Sequence, residues 1–343
     1  MSHDWKYWRV GLLAVAMGLV AFFALGIGAS AAPAADPKPS GGGTPTATPH
    51  ATWTPSPIRL RPRVQFGHAA PGHIERYRLL LFNRLTEETD VHLDARSRGG
   101  WPVRVVPSDT VAIPGYANVI TVTVGVPMSP THRIDIEGVR AVTTEGGPYT
   151  TTAHLVTIAW RHPYTDLSEQ DWADAPVQYL TELGVVGGYP DGTFRPNNTV
   201  TRAQFAKMLV AAMQWTLQTP ANPSFADVPA SHWAYSYVET AAAHGVLAGY
   251  TDGTFRPEAG VTRAQVAKMV YVARGWGDVG QADAPAEFVD ISPSDWFYSY
   301  VRAANVAEIM AGYQDGTFRP NAPATRGQIA KILAVALFSS PSE

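Results

Sequence analysis

The side chains best placed to do chemistry lie in the last 180 residues, and they are cations. From Tyr164 to Glu343 the chain holds 11 Lys and Arg against 18 Asp and Glu, a net of −7. Nine of those cations nevertheless recur in a fixed frame: Arg195, Arg256 and Arg319; Arg202, Arg263 and Arg326; Lys207, Lys268 and Lys331. Only six of the acids do so, the series headed by Asp166 and Asp191. An acidic stretch that repeats its cations so regularly points to anion recognition.

The cations belong to a threefold internal repeat. Asp-Gly-Thr-Phe-Arg-Pro begins at Asp191, Asp252 and Asp315, and Thr-Arg recurs at Thr201, Thr262 and Thr325. A Gly-Tyr pair starts at Gly188, Gly249 and Gly312, and Trp172, Trp233 and Trp296 stand in the same frame. Each spacing is 61 residues from first to second copy and 63 from second to third, so the connectors vary and the unit does not. Each unit reads helix, loop, helix. Trp172 to Leu183 forms the first helix, Gly184 stops it, and Pro190-Asp191-Gly192 turns the chain. Thr201 starts a second helix with Phe205, Met208, Leu209 and Ala212 on one face. A unit this small buries too little alone, so the three are expected to pack together.

Thr201-x-x-Gln204, Thr262-x-x-Gln265 and Thr325-x-x-Gln328 are capping boxes. Arg202 then falls in the first helical turn, where the helix dipole disfavours a cation. An anion facing free helix amides and the guanidinium together would explain that choice. Arg195 and its counterparts are open to either ligand contact or pairing with acids of a neighbouring copy. Lys207 lies about 140° round the helix from Arg202 and is expected to line an adjacent groove. The Trp172 series reads as core anchors with an exposed edge or as sugar platforms. Asp191, Asp252 and Asp315 serve a turn or a ligand, and the Asp166 series caps a helix or orders a loop. Copy three has Gly327, Gln314 and Glu308 where copy one has Ala203, Pro190 and Gly184, which predicts a looser helix start and the weakest groove.

These copies resemble S-layer homology domains: a leading Asp, a Trp, the GYxDGTFRP stretch and a TRA-type helix start. The resemblance covers Tyr164 to about Phe338. It implies three domains folded as one pseudo-threefold unit with grooves between neighbours, binding a secondary cell-wall polysaccharide, often pyruvylated. The family usually has Glu where these copies have Gln.

The preceding region positions this unit. Ile58 to about Arg161 breaks into short alternating segments separated by turn residues, which predicts seven or eight strands in an immunoglobulin-like β-sandwich. The module serves as a spacer or as a docking surface for a surface-protein partner. His68, His73, His92, His132 and His154 fall here without helical metal-pair spacing, and no metal or cofactor site is expected. Val10 to Ala29 is an uncharged apolar run after Lys6 and Arg9, and it ends in Ala29-Ser30-Ala31, a cleavable export signal. An uncleaved membrane anchor is the competing reading. Residues 32–57 are rich in Pro, Thr, Gly and Ser and read as a solvated linker.

The expected organisation is thus signal 1–31, linker 32–57, sandwich 58–161 and repeats at 162–222, 223–284 and 285–343, an all-β module followed by a mainly α one. A net charge of −3 excludes general nucleic-acid binding, and the absence of Cys excludes disulfides and thiolate chemistry. No G-x-S-x-G, H-E-x-x-H or P-loop occurs, so a non-catalytic surface protein is expected, or alternatively a scaffold, adhesin or lattice component.

Overall fold

The computed structural model describes residues 56–144, 149–159, 163–276 and 288–338. The expected signal segment, and the linker up to residue 55, lie outside the described residues.

The first module is a two-sheet sandwich. Strands β1 (Ile58–Arg61), β3 (Ile74–Asn83), β7 (Ala117–Gly125) and β5 (Val103–Val106) form one sheet in the order β1-β3-β7-β5. The other runs β2-β9-β8-β4-β6, built from β2 (Val64–Ala69), β9 (Thr150–Ala159), β8 (Ile134–Thr143), β4 (Thr89–Ser97) and β6 (Asp109–Ala112). Pro62 has no amide to continue a ladder. The chain therefore breaks between two strands there: β1 pairs antiparallel with β3, and β2 crosses to pair parallel with β9. Leu60, Tyr77, Leu79, Leu93, Trp101, Ile120 and Val122 fill the space between the sheets.

Among the described residues the repeats contribute six helices: α1 (Asp174–Glu182), α2 (Arg202–Ala212), α3 (Tyr235–Ala243), α4 (Arg263–Ala273), α5 (Tyr298–Val306) and α6 (Arg326–Ala336). Helices pair across copies rather than within them, α2 on α3, α4 on α5, and α6 on α1. Phe194, Phe255 and Phe318, one per DGTFRP loop, are fully buried and knit the three copies into one core. Backbone hydrogen bonds close a circuit around the unit: Val200 N donates to Ala324 O, Ala324 N to Val261 O, and Val261 N to Val200 O, at 2.9–3.1 Å.

β9 links the modules. Its residues alternate between two cores, Ala153 and Leu155 facing the sandwich interior, and Val156 and Ile158 joining the core of the repeats. That double burial explains the unbroken buried run from Leu155 to Ala159, where a one-sided strand would alternate.

Candidate functional site

Each helix start is built as the capping boxes predict. Thr201 Oγ1 accepts from Gln204 N, and Gln204 Oε1 accepts from Thr201 N; Thr262 with Gln265 and Thr325 with Gln328 repeat the arrangement. The next two amides are also occupied. Arg202 N and Ala203 N donate to Ala259 O and Pro257 O of the second copy, at 2.8 and 3.0 Å. Arg263 N and Ala264 N reach Ala322 O and Pro320 O in the third, and Arg326 N and Gly327 N return to Asn198 O and Pro196 O in the first. The helix amides expected to face an anion are spent on the neighbouring copy's loop.

The arginines follow the same direction. Arg202 Nε donates to Phe255 O at 2.7 Å and Nη2 to Ala248 O at 3.2 Å. Arg263 meets Phe318 O and Ala311 O, and Arg326 meets Phe194 O and Gly187 O. Arg202 and Arg263 are only 5% exposed, whereas Arg326 is half-buried. Burial lowers the pKa of Arg202, but a guanidinium keeps its proton. The expectation of an accessible arginine at each helix start is therefore corrected: two of its nitrogens clasp carbonyls of the next copy. The partners are backbone oxygens, not acids.

The second arginine series stays within its own loop. Arg195 Nη2 lies 2.7 Å from Asp191 Oδ2, and Arg256–Asp252 and Arg319–Asp315 repeat the pair at 2.9 and 2.8 Å. Pairing with a neighbouring copy is thus not what the structure shows. Asp191 also accepts from the Thr193 hydroxyl and amide, and these bonds, the hydroxyl first, hold its pKa at about 2. Arg195, Arg256 and Arg319 carry φ near +58°. That left-handed geometry is held by Asp166, Asp227 and Asp290, each accepting two successive loop amides at 2.7 Å. The Asp166 series is the loop-ordering acceptor.

Sequence reasoning gave no role to the tyrosine of the Gly-Tyr pair. Tyr189 has the Arg195 guanidinium 4.0 Å from its ring centroid and that of Arg326 at 5.0 Å. Tyr250 receives Arg256 and Arg202, and Tyr313 receives Arg319 and Arg263. The invariant spacing of Gly-Tyr to both arginines was the available signal.

What remains accessible at each boundary between copies is a lysine and an aromatic platform. Trp172, Trp233 and Trp296 are 54, 52 and 58% exposed, so they are surface rings rather than core anchors. Lys331 Nζ sits 5.7 Å from the Trp172 ring, and Lys268 Nζ 5.9 Å from both Trp296 and Tyr300. Lys207 lies 5.8 Å from Tyr237, on the helix that follows Trp233. Each lysine belongs to the copy before its ring. A flat apolar face beside an ammonium suits a sugar bearing a negative substituent.

Copy three departs from expectation. Gly327 does not loosen its helix: a Cβ there would meet Pro196 and Ala173 at 3.2–3.3 Å, so glycine permits a closer approach. Among the described residues no cluster of His, Asp and Glu fits a metal ion, and no helix is long and apolar enough to cross a membrane.

The S-layer homology domain family matches residues 163–206, 224–267 and 287–330. A cellulosome-anchoring protein of Acetivibrio thermocellus is 36% identical over 139 residues, 39% of this chain and 30% of that protein. An endoglucanase of a Bacillus species is 32% identical over 183 residues, 52% of this chain and 19% of the enzyme. S-layer protein EA1 of Bacillus anthracis is 26% identical over 172 residues, 50% of this chain and 20% of that protein. The chain thus spans less than a third of the length of these relatives. With three family matches laid on three structural copies, the repeats of this chain are S-layer homology domains, and they follow a β-sandwich.

Proposed function

We propose that the chain is an exported, non-catalytic surface protein held on the bacterial envelope by its three repeats, which bind an anionic, pyruvylated wall polysaccharide without a covalent bond. The observation that carries this reading is the recurrence, at each boundary between copies, of a lysine beside accessible aromatic rings. The sugar's apolar face stacks on Trp172, Trp233 or Trp296, and its acidic substituent meets Lys207 or Lys268. Arg202, Arg263 and Arg326 fix the groove walls, Arg195, Arg256 and Arg319 with Asp191, Asp252 and Asp315 shape the rims, and residues 1–31 direct export.

The test is sedimentation of the full chain with purified cell walls, before and after mild-acid removal of ketal groups. Replacing Lys207, Lys268 and Lys331 together by Ala should cut sedimentation about tenfold or more, with an unchanged melting temperature. Undiminished sedimentation by that variant overturns the assignment. A second reading, in which the sandwich recruits a protein partner, draws on its exposed apolar residues Val111, Ile113, Tyr116 and Val119. A sandwich-dependent capture that survives loss of wall binding would favour it.

A further inference from the structure

The three boundaries between copies are not equivalent, because the sandwich is seated on copies one and three. Glu308 occupies the position that is Gly184 and Gly245 in the other copies, and it holds their left-handed backbone at φ 60°. Its carboxylate explains the departure: Oε1 lies 2.9 Å from Arg61 Nε, and Oε2 accepts from Arg63 N at 2.9 Å. Phe66 of β2 packs 5.8 Å from Tyr179 of α1 and 6.3 Å from Phe338 beyond α6.

Between these contacts lies a cavity of about 670 Å³, inside the usual range of small-ligand sites. β2, the edge strand of its sheet beside β9, forms one wall. Trp172 and Lys331 form the opposite side, with an apolar strip from Ala175, Pro176 and Val335. The sandwich also changes the charge. Glu75 and His68 enter from its side, and Glu169 and Asp171 flank Trp172, so carboxylates outnumber the single lysine. His68 Nε2 stands 4.0 Å from Glu169 Oε2. An acidic sugar substituent would be repelled here, whereas carboxylate acceptors and an indole face suit ring hydroxyls and C–H groups.

We propose that this cavity is a separate subsite, built jointly by the sandwich and copies one and three, that takes an uncharged pyranose residue. The assignment rests on the reading of the repeats as glycan binders, but it reverses the charge preference at one of their three boundaries. A chain bound here and at the other boundaries would be read for both its neutral and its acidic units.

The experiment is calorimetric titration of the full chain with cellotetraose and chitotetraose as uncharged probes and tetragalacturonate as the acidic one. At least one uncharged probe should bind, and tetragalacturonate should bind this site about tenfold more weakly or not at all. Trp172→Ala should weaken the uncharged probe about tenfold, while Trp296→Ala should change it less than twofold. Gln170→Trp, an exposed substitution at the cavity mouth, should block it without lowering the melting temperature. Neither uncharged probe binding, equal or tighter tetragalacturonate binding at this site, or insensitivity to both Trp172→Ala and Gln170→Trp overturns the proposal. Wall sedimentation by the same variants keeps the outcomes apart: if it persists while the titrations are silent, the cavity assignment fails and envelope binding stands.

Discussion

Arg202 shows how one residue type can serve two purposes that a sequence does not separate. Its register with Arg263 and Arg326 was legible, and so was its place in the first helical turn. Its acceptors were not, because Phe255 O and Ala248 O lie 53 and 46 residues away and backbone oxygens leave no compositional trace. Arg202→Ala strands both carbonyls in a buried boundary and should cost about 2–4 kcal/mol in urea denaturation. Arg202→Lys should recover only part of that loss, since a point ammonium cannot reproduce the two-carbonyl fork. Arg195→Ala, at an exposed pair, should leave the midpoint close to wild type.

Two carboxylate sets give opposite pH limbs. Asp191, Asp252 and Asp315 are held at about 2, below the ordinary 3.8, so their contribution is present above about 4 and is lost as pH falls through 2. Glu137 is the reverse. Burial in the sandwich, reinforced by Asp135, raises its pKa from 4.5 to about 8, and Oε1 has no partner among the described residues. Its folded form keeps a proton that the unfolded chain releases, so stability is greatest below 4.5 and declines as pH rises through 8. Thermal melts of Glu137→Gln should show a smaller drop in melting temperature between about pH 5 and 8.5 than wild type. An equal drop would remove Glu137 from the account.

At the scale of elements, the repeats were the more readable half. The capping boxes and apolar helical faces are local patterns with fixed spacing, and the helices form where those patterns lie. The Gly-Tyr pair was visible, yet its reason was tertiary: a Cβ on Gly249 would lie 2.6 Å from the Phe225 ring and 2.8 Å from Thr254 O. Gly249→Ala should therefore destabilise by about 2–3 kcal/mol, measured by denaturation, because a buried ring and a backbone oxygen would both have to yield. The strands were found by alternation, but alternation does not show that the chain changes sheet at Pro62, between β1 and β2. β9 looked like one more strand, and only the structure reveals that both of its faces are covered. Pairing between helices of different copies escaped the sequence altogether, since periodicity identifies a buried face without naming what buries it.

For the whole molecule, the question is how the sandwich and the repeats are joined. Glu308 stands where both other copies have glycine, and Glu308→Gly tests the tie directly. The substitution relieves a left-handed non-glycine residue, a strain of about 1 kcal/mol, while removing both contacts to Arg61 and Arg63. The repeats should melt no earlier than in wild type, and amide exchange in residues 58–69 should accelerate. Unchanged exchange there would show that Phe66, Tyr179 and Phe338 suffice to seat the sandwich. The backbone circuit through Val200, Val261 and Ala324 carries a consequence for the number of copies. Because each copy's amide donates to the copy before it and the first closes on the last, a fourth would find no vacant edge to join. Excising one would leave two raw edges, and the molecule would be driven to borrow the missing third from a neighbour.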